Sequence, residues 1–436
     1  MKIAWFTPFH VESAIGEFSR HVTDELARVA DVELWVPGDG PLLESELPMV
    51  GFNADSPHLS DLHQYDAIVY NLGNHLAFHG EIYKVSAAHP GAVILHDRAL
   101  HHLFADLWLT GEHPEPVRYI QAMGAYYGAD GASVAQESLQ GGRRPVWESE
   151  QDLLRYPLYE QSIAGALGVV THSQGQALDV AQRWLGPVAA LRLPCYRETL
   201  ACAARAPRAA PSERLRLLTV GHVNSNKQVD RVVKVLAADP QLAARFSYRV
   251  VGPDGGDTAY ARGLRRLIEQ HADVLDVVLV GRVSDEQLEA ELAAADAFVN
   301  LRHPNIEGGS ASLMRQLAYG RPVLAFDSGF FGEIPGEALL RVPVADFGAV
   351  ARQLHALVTD AAMRERVGRA AREFAEACSE RTYVEDLLRL IEQGRSAAPA
   401  LRLLDLVARE LGRMQVDPRL PVFDDVARDF GPVLDV

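Results

Sequence analysis

Short runs of apolar, β-branched and aromatic residues alternate with amphipathic helical stretches along almost the whole chain. A strand that is apolar on both faces needs helices on both sides, so this alternation demands parallel sheets covered on each face. In the first half the runs are KIAWFTP from Lys2, VELWVPG, AIVYNLG, AVILHD and GVVTHS, with stretches such as EFSRHVTDELARVA between them. A second series follows: RLRLLTVG, FSYRVVGP, DVVLVG, AFVNL, RPVLAF and LLRVPV. Between the two lies CAARAPRAAPSE, residues 202–213, whose Ala, Pro and Arg content reads as a linker. The expected fold is α/β, with two Rossmann-like doubly wound domains facing across a cleft. The expected domains are residues 1–205 and 212–385, followed by a helical tail over 386–436 that packs back across them. LLRLIEQG and ALRLLDLVARELGRM read as two tail helices and VFDDVARDFGPVL as a third.

Length and charge narrow the function classes. The 436 residues suffice for two or three domains, and 48% hydrophobic with 23% charged residues is ordinary for a globular protein. The formal net charge of −16 repels phosphate backbones, which argues against nucleic acid and against docking on an acidic membrane. No apolar run reaches the roughly 18 residues of a membrane span. MKIAWFTPFH reads as a first strand rather than a signal peptide. Cys195, Cys202 and Cys378 lack metal-site spacing, and a reduced, cytoplasmic setting is the simplest reading. An oligomer remains compatible with this composition.

In open α/β sheets ligands sit beyond the C-terminal strand ends, so residues that follow strands carry the interest. In RLLTVGHVNSNKQVDRVVKVLA, Gly221 ends a strand and Lys227 stands six residues on, before a helix. A Lys there suits a phosphate or simply a solvated turn. DVVLVGRVSDEQ gives Gly281-Arg282-Val283 and then Ser284 and Asp285 as a helix start. NIEGGSASLMRQLAYGRPVL is more specific. Glu307 precedes Gly308, Gly309, Ser310, Ala311 and Ser312, and an apolar-striped helix begins there. Small residues admit a ligand to the backbone, and the first helical N–H groups are free to bind an anion. Ser310 or Ser312 equally suits a simple N-cap.

Glu307 through Val323 resembles the donor-binding element of retaining glycosyltransferases of the GT-B fold, family 4, the group 1 type. GHVNSNK is similar to that family's phosphate-binding turn, and VGRVSDEQLEAELAAADAFV to the segment bracketing the nucleotide base. FTPFHVESAIGEFSRHV resembles the family's first loop, with Gly16 beside the diphosphate. The segment from Leu72-Gly73-Asn74 through His79 and Pro90-Gly91 to His96-Asp97 resembles a bacterial branch, and GVVTHS, ending at His172-Ser173, another cleft-facing strand end.

The resemblance implies a hexosyl transfer with retention from a nucleotide diphosphate sugar, UDP- or GDP-linked, to a soluble small-molecule or glycan acceptor. It implies no cofactor and no metal, and the chain has no Asp-x-Asp. Lys227 would neutralise the diphosphate, with the N–H groups of Gly309 to Ser312 around it. Arg282 and Val283 would lie near the base, Glu307 on the sugar hydroxyls, and His96 against the sugar. Glu12 and Asp97 are the carboxylates implied for orienting or deprotonating the acceptor. His10, Asn74, His79 and His172 are acceptor-side candidates. Two positions depart from the family. His222 stands where an Arg is usual, and Arg315 where a second Glu would accept from the ribose, which a guanidinium cannot do. A GT-B-like sugar-nucleotide epimerase and a non-catalytic nucleotide-sugar-binding protein are the competing readings. A dehydrogenase is disfavoured, because no Gly-x-Gly-x-x-Gly follows a strand.

Overall fold

The computed structural model describes residues 1–414 apart from 39, 112, 207–212 and 254–255. The third tail helix expected over 422–434, and half of the expected linker, lie outside the described residues. The chain forms two compact units. The first comprises Met1–Arg192, Ile306–Gly309 and the residues from Arg381 on, and the second comprises Leu193–Asn305 with Ser310–Glu380. The expected first boundary, near residue 210, follows the helix Arg197–Arg205, which clusters with the second unit.

The first unit holds a seven-stranded parallel sheet in the order β3-β2-β1-β4-β5-β6-β7. Its strands are β1 Lys2–Phe6, β2 Asp31–Pro37, β3 Met49–Phe52, β4 Ala67–Leu72, β5 Ala92–Leu95, β6 Gly168–Thr171 and β7 Val188–Ala190. The second unit holds a six-stranded parallel sheet, β10-β9-β8-β11-β12-β13. These are β8 Leu215–Val220, β9 Phe246–Val251, β10 Asp276–Gly281, β11 Ala297–Asn300, β12 Val323–Phe326 and β13 Leu340–Val342. Every apolar run named from the sequence is a strand. The edge strands β3 and β7 are additional, and their sequences, MVGF and VAA, are too short and too poor in β-branched residues to announce themselves.

The double covering explains the unbroken apolar runs. Along β12, Leu324 and Phe326 join one core while Val323 and Ala325 join the other. Along β11, Val299 and Phe298 divide the same way. Cys195 and Cys378 are free and buried, and burial pushes the Cys195 thiol up to about 12.

The two expected tail helices are one, Glu380–Arg413, running through Pro399. Gly394, where the first of them was expected to end, instead marks a close approach, since a Cβ there would sit 2.7 Å from the Leu167 carbonyl oxygen. Leu390 is buried over Gly168 at the start of β6. The helix is therefore part of the first unit's core along this stretch. Leu390→Ala should cost about 2–5 kcal/mol of stability, the usual range for emptying a buried leucine site. Leu403→Ala, at a half-exposed position on the same helix, should change it by less than about 0.5 kcal/mol. Urea unfolding of the two variants checks the pair.

Candidate functional site

The loops after β4, β5 and β6 gather the polar residues of the first unit. Asn71, buried inside the apolar run of β4, donates its Nδ2–H to the Phe6 carbonyl (2.9 Å), so its Oδ1 is an acceptor. That oxygen faces His96 Nε2 at 3.0 Å, and His96 Nδ1 lies 3.1 Å from His172 Nε2. His172 Nδ1 in turn faces the Leu191 carbonyl at 3.0 Å. His79, on the helix Leu76–Ala88, contacts the Asn71 carbonyl through Nδ1 at 3.1 Å. Burial lowers the pKa of all three rings, to about 4 for His79 and His172, with the His172 and His79 charges adding to the effect on His96.

Asp97 follows His96. It does not cap the next helix, which starts at His101 with Leu100 before it. Asp97 Oδ2 instead accepts the Asn74 N–H (2.9 Å), and the Gln176 Nε2–H donates to its backbone carbonyl (3.0 Å). Burial raises its carboxyl to about 6, with the Asn74 bond opposing. Asn74 also touches His102 and caps the Leu103 N–H.

The segment Ile306–Gly309 packs on this strand end. Asp97 and Glu307 form an antiparallel bridge, the Gly308 N–H donates to the His96 carbonyl (3.3 Å), and the Arg98 N–H donates to the Ile306 carbonyl (3.2 Å). A side chain at 308 is excluded, because a Cβ would lie 2.8 Å from the His96 oxygen and 2.9 Å from Gln176 Oε1. That Gln176 oxygen is buried without a hydrogen-bond partner among the described residues. Glu307 is thus brought beside Asp97 and His96. Gly16 lies buried in the first turn of its helix, its N–H donated to Ser13 Oγ. His10 contacts the Pro37 carbonyl through Nε2 at 3.1 Å. Glu12 stands exposed in a turn, without a hydrogen bond or ion pair among the described residues.

In the second unit, Lys227 ends the 3-10 turn after β8 and is only 8% exposed, so it is not a solvated turn lysine. Its ammonium donates to the Val220 carbonyl at 3.3 Å. Arg302, 5% exposed, donates from Nε to Asn300 Oδ1 (3.2 Å) and from Nη2 to Ser310 Oγ (3.4 Å). Burial and then the Arg302 charge hold the Lys227 amine well below its usual range, and burial lowers Arg302 to about 10. Ser310 is the N-cap of the helix Ala311–Ala318, accepting the Leu313 N–H and contacting Ser312 Oγ at 3.0 Å. The cap reading and the anion reading are therefore compatible: one first-turn N–H is satisfied by Ser310, and the others point past Ala311 and Ser312.

Arg302 was missed in the sequence, although its place two residues past a strand was the available signal. His222 and Arg282 are exposed, and Val283 is partly buried against the helix core; no described contact joins the three to Lys227. Arg315 pairs instead with Glu289 (2.8 Å) on the helix Asp285–Ala294, and the Tyr319 hydroxyl donates to the same carboxylate.

Residues 203–374 match the family described as Glycosyl transferases group 1. The chain carries a group 1 glycosyltransferase domain. The match covers the second unit's sheet, and the parallel sheets of the two units are those of the GT-B fold. HepE from Anabaena, solved with UDP, is similar in fold at 13% identity and a TM-score of 0.61, over 89% of this chain and 99% of that one. Sucrose-phosphate synthase from Thermosynechococcus elongatus superposes at 17% identity and 0.59, over 91% and 100%. HepE has also been solved with UDP-glucose. No curated protein matches the sequence. Among the described residues, no helix is long and apolar enough to cross a membrane, and no group of three His, Cys, Asp or Glu side chains is arranged to hold a metal ion.

Because Arg315 is held by Glu289 and Tyr319, Arg315→Ala should lower stability by about 1 kcal/mol, the upper end for a part-exposed pair. The KM for the sugar donor should stay within about twofold, since uniform binding is untouched. Urea unfolding and steady-state kinetics check the two halves separately.

Proposed function

We propose that the protein transfers a hexosyl group, with retention and without a metal, from a nucleotide diphosphate sugar to a soluble small-molecule or glycan acceptor. The observation that carries this reading is the buried Lys227–Arg302 pair. Burial costs each of these basic groups its hydration, and an anion bound beside them favours their charged forms. A diphosphate fits the pair, with the Ser310-capped helix start supplying N–H donors beside it. Uridine is the favoured base, since the similar HepE fold has been solved with UDP and with UDP-glucose; guanosine is the second choice.

In the proposed reaction the bond from the anomeric carbon to the diphosphate oxygen breaks, and its electron pair leaves on that oxygen. Lys227, Arg302 and the helix start stabilise the negative charge there, the role that preorganised donors play at an oxyanion. An acceptor hydroxyl bonds to the anomeric carbon on the departing face, and its proton passes to the leaving phosphate oxygen. Glu307 accepts hydrogen bonds from the donor sugar. Asp97 orients the acceptor. Its Oδ2 is occupied by Asn74, while its other oxygen has no described hydrogen bond.

UDP should raise the thermal midpoint of the protein more than GDP does, and the gain should vanish in Lys227→Ala, because a ligand that binds only the folded state stabilises it. Products formed from UDP-sugars should keep the donor's anomeric configuration by proton NMR. Interconversion of the free sugar nucleotide would instead identify an epimerase, and binding with no turnover a non-catalytic protein.

Asp97 adds a pH test. Its carboxyl is raised to about 6, so transfer should decline as pH falls through about 6. A carboxyl with a raised folded pKa binds its proton more tightly folded than unfolded, so it lowers stability as pH rises through that interval. Asp97→Asn should therefore be more stable than wild type at neutral pH while its residual activity loses the acid decline.

A further inference from the structure

The contacts of His96 and His172 do not close with neutral rings. The Leu191 carbonyl accepts only, so His172 Nδ1 must carry a proton. Asn71 Oδ1 accepts only, because Asn71 Nδ2 is committed to Phe6, so His96 Nε2 must carry one as well. The 3.1 Å contact between His172 Nε2 and His96 Nδ1 needs a third. Two neutral imidazoles own two N–H groups between them. Without the third proton, one of the three contacts sets lone pair against lone pair. Two full charges are excluded, since burial and mutual repulsion oppose them, so the pair titrates as a unit holding either none or one.

We infer that the His96–His172 pair takes up one shared proton, and that His172 is a positioning residue for Glu307. The route is short. The Leu191–His172–His96–Asn71 chain fixes the His96 ring, and with it the His96 peptide. The carbonyl of that peptide receives the Gly308 N–H, and the next residue forms the bridge to Glu307. Both ring nitrogens of His96 are committed to this chain, so its ring offers no free nitrogen to a sugar. Around the pair stand His79 from the helix after β4, Asp97 from the end of β5, Glu307 from its loop, and Tyr383 from the tail helix, whose ring lies 6.1 Å from that of His172. The lock is complete with the proton and loosens as pH rises and removes it.

The inference rests on Glu307 contacting the donor sugar. His172→Ala should raise the KM for the donor by about tenfold, the scale on which partners that orient a ligating group act, with a smaller effect on kcat. His172→Gln keeps a partner for a neutral His96, so it should restore a KM near the wild-type value. It should also abolish the wild-type rise of KM with pH that comes from the pair's titration. Any contribution from Lys227 remains in both proteins. Nitrogen-15 NMR of wild type labelled at histidine reads the pair directly, with three N–H groups on the two rings at the acid end and two at the alkaline end. An unchanged KM in His172→Ala, an unchanged pH profile in His172→Gln, or two N–H groups at every pH would each overturn the inference. The spectrum needs no variant and no turnover. A protein that shows the shared proton but transfers no sugar would refute the proposed function and leave the pair standing.

Discussion

Two buried basic side chains, Lys227 and Arg302, are the most demanding feature of the second unit. Lys227 and Arg302 both follow strands of one sheet, β8 and β11, which pair directly. The parallel topology therefore places them together, because in such a sheet every strand end opens on the same side. Asn300, Ser310 and the Val220 carbonyl give the two heads hydrogen bonds. Burial costs both groups hydration, which lowers their basicity. The proposed chemistry needs their positive charge at the moment the diphosphate departs.

The first unit solves a different problem. Its strand ends carry neutral or acidic groups held in fixed orientations by one another: Asn71 by Phe6, His96 by Asn71 and His172, Asp97 by Asn74 and Gln176. Polar side chains at these positions interrupt otherwise apolar strands, and each interruption is matched by a specific partner. The Glu307 segment joins this array through backbone pairing.

The architecture was legible because its cause is periodic. A strand covered on both faces must be apolar throughout, and all eleven runs named from the sequence are strands. What escaped lacked that signature. β3 and β7 sit at the sheet edges and carry glycine or alanine instead of a continuous apolar run. Gly394 read as a helix stop because a glycine chosen for close packing and one chosen for a C-cap look alike in sequence. At the site, Lys227 and the small-residue helix start were visible as local patterns. Arg302 was hidden in a loop, and its closeness to Lys227 arises only when β8 and β11 pair. The partner of Arg315 was unreadable for the same reason: Glu289 lies on another helix, and no local rule connects them.

The chain contains four lysines, Lys2, Lys84, Lys227 and Lys234, against a large surplus of arginine. Of the four only Lys227 is buried. Its depressed amine gives up a proton under conditions in which ordinary surface lysines remain ammonium ions. An arginine at the same position would have stayed charged. Among the lysines, Lys227 is therefore the one whose amine is nucleophilic where surface lysines stay protonated, and the anion of the proposed reaction would favour its charged form, so the empty and the occupied site would differ in its reactivity. A small amine-directed reagent would distinguish the two states at one residue, turning the feature that burdens the folded protein into a reporter of occupancy.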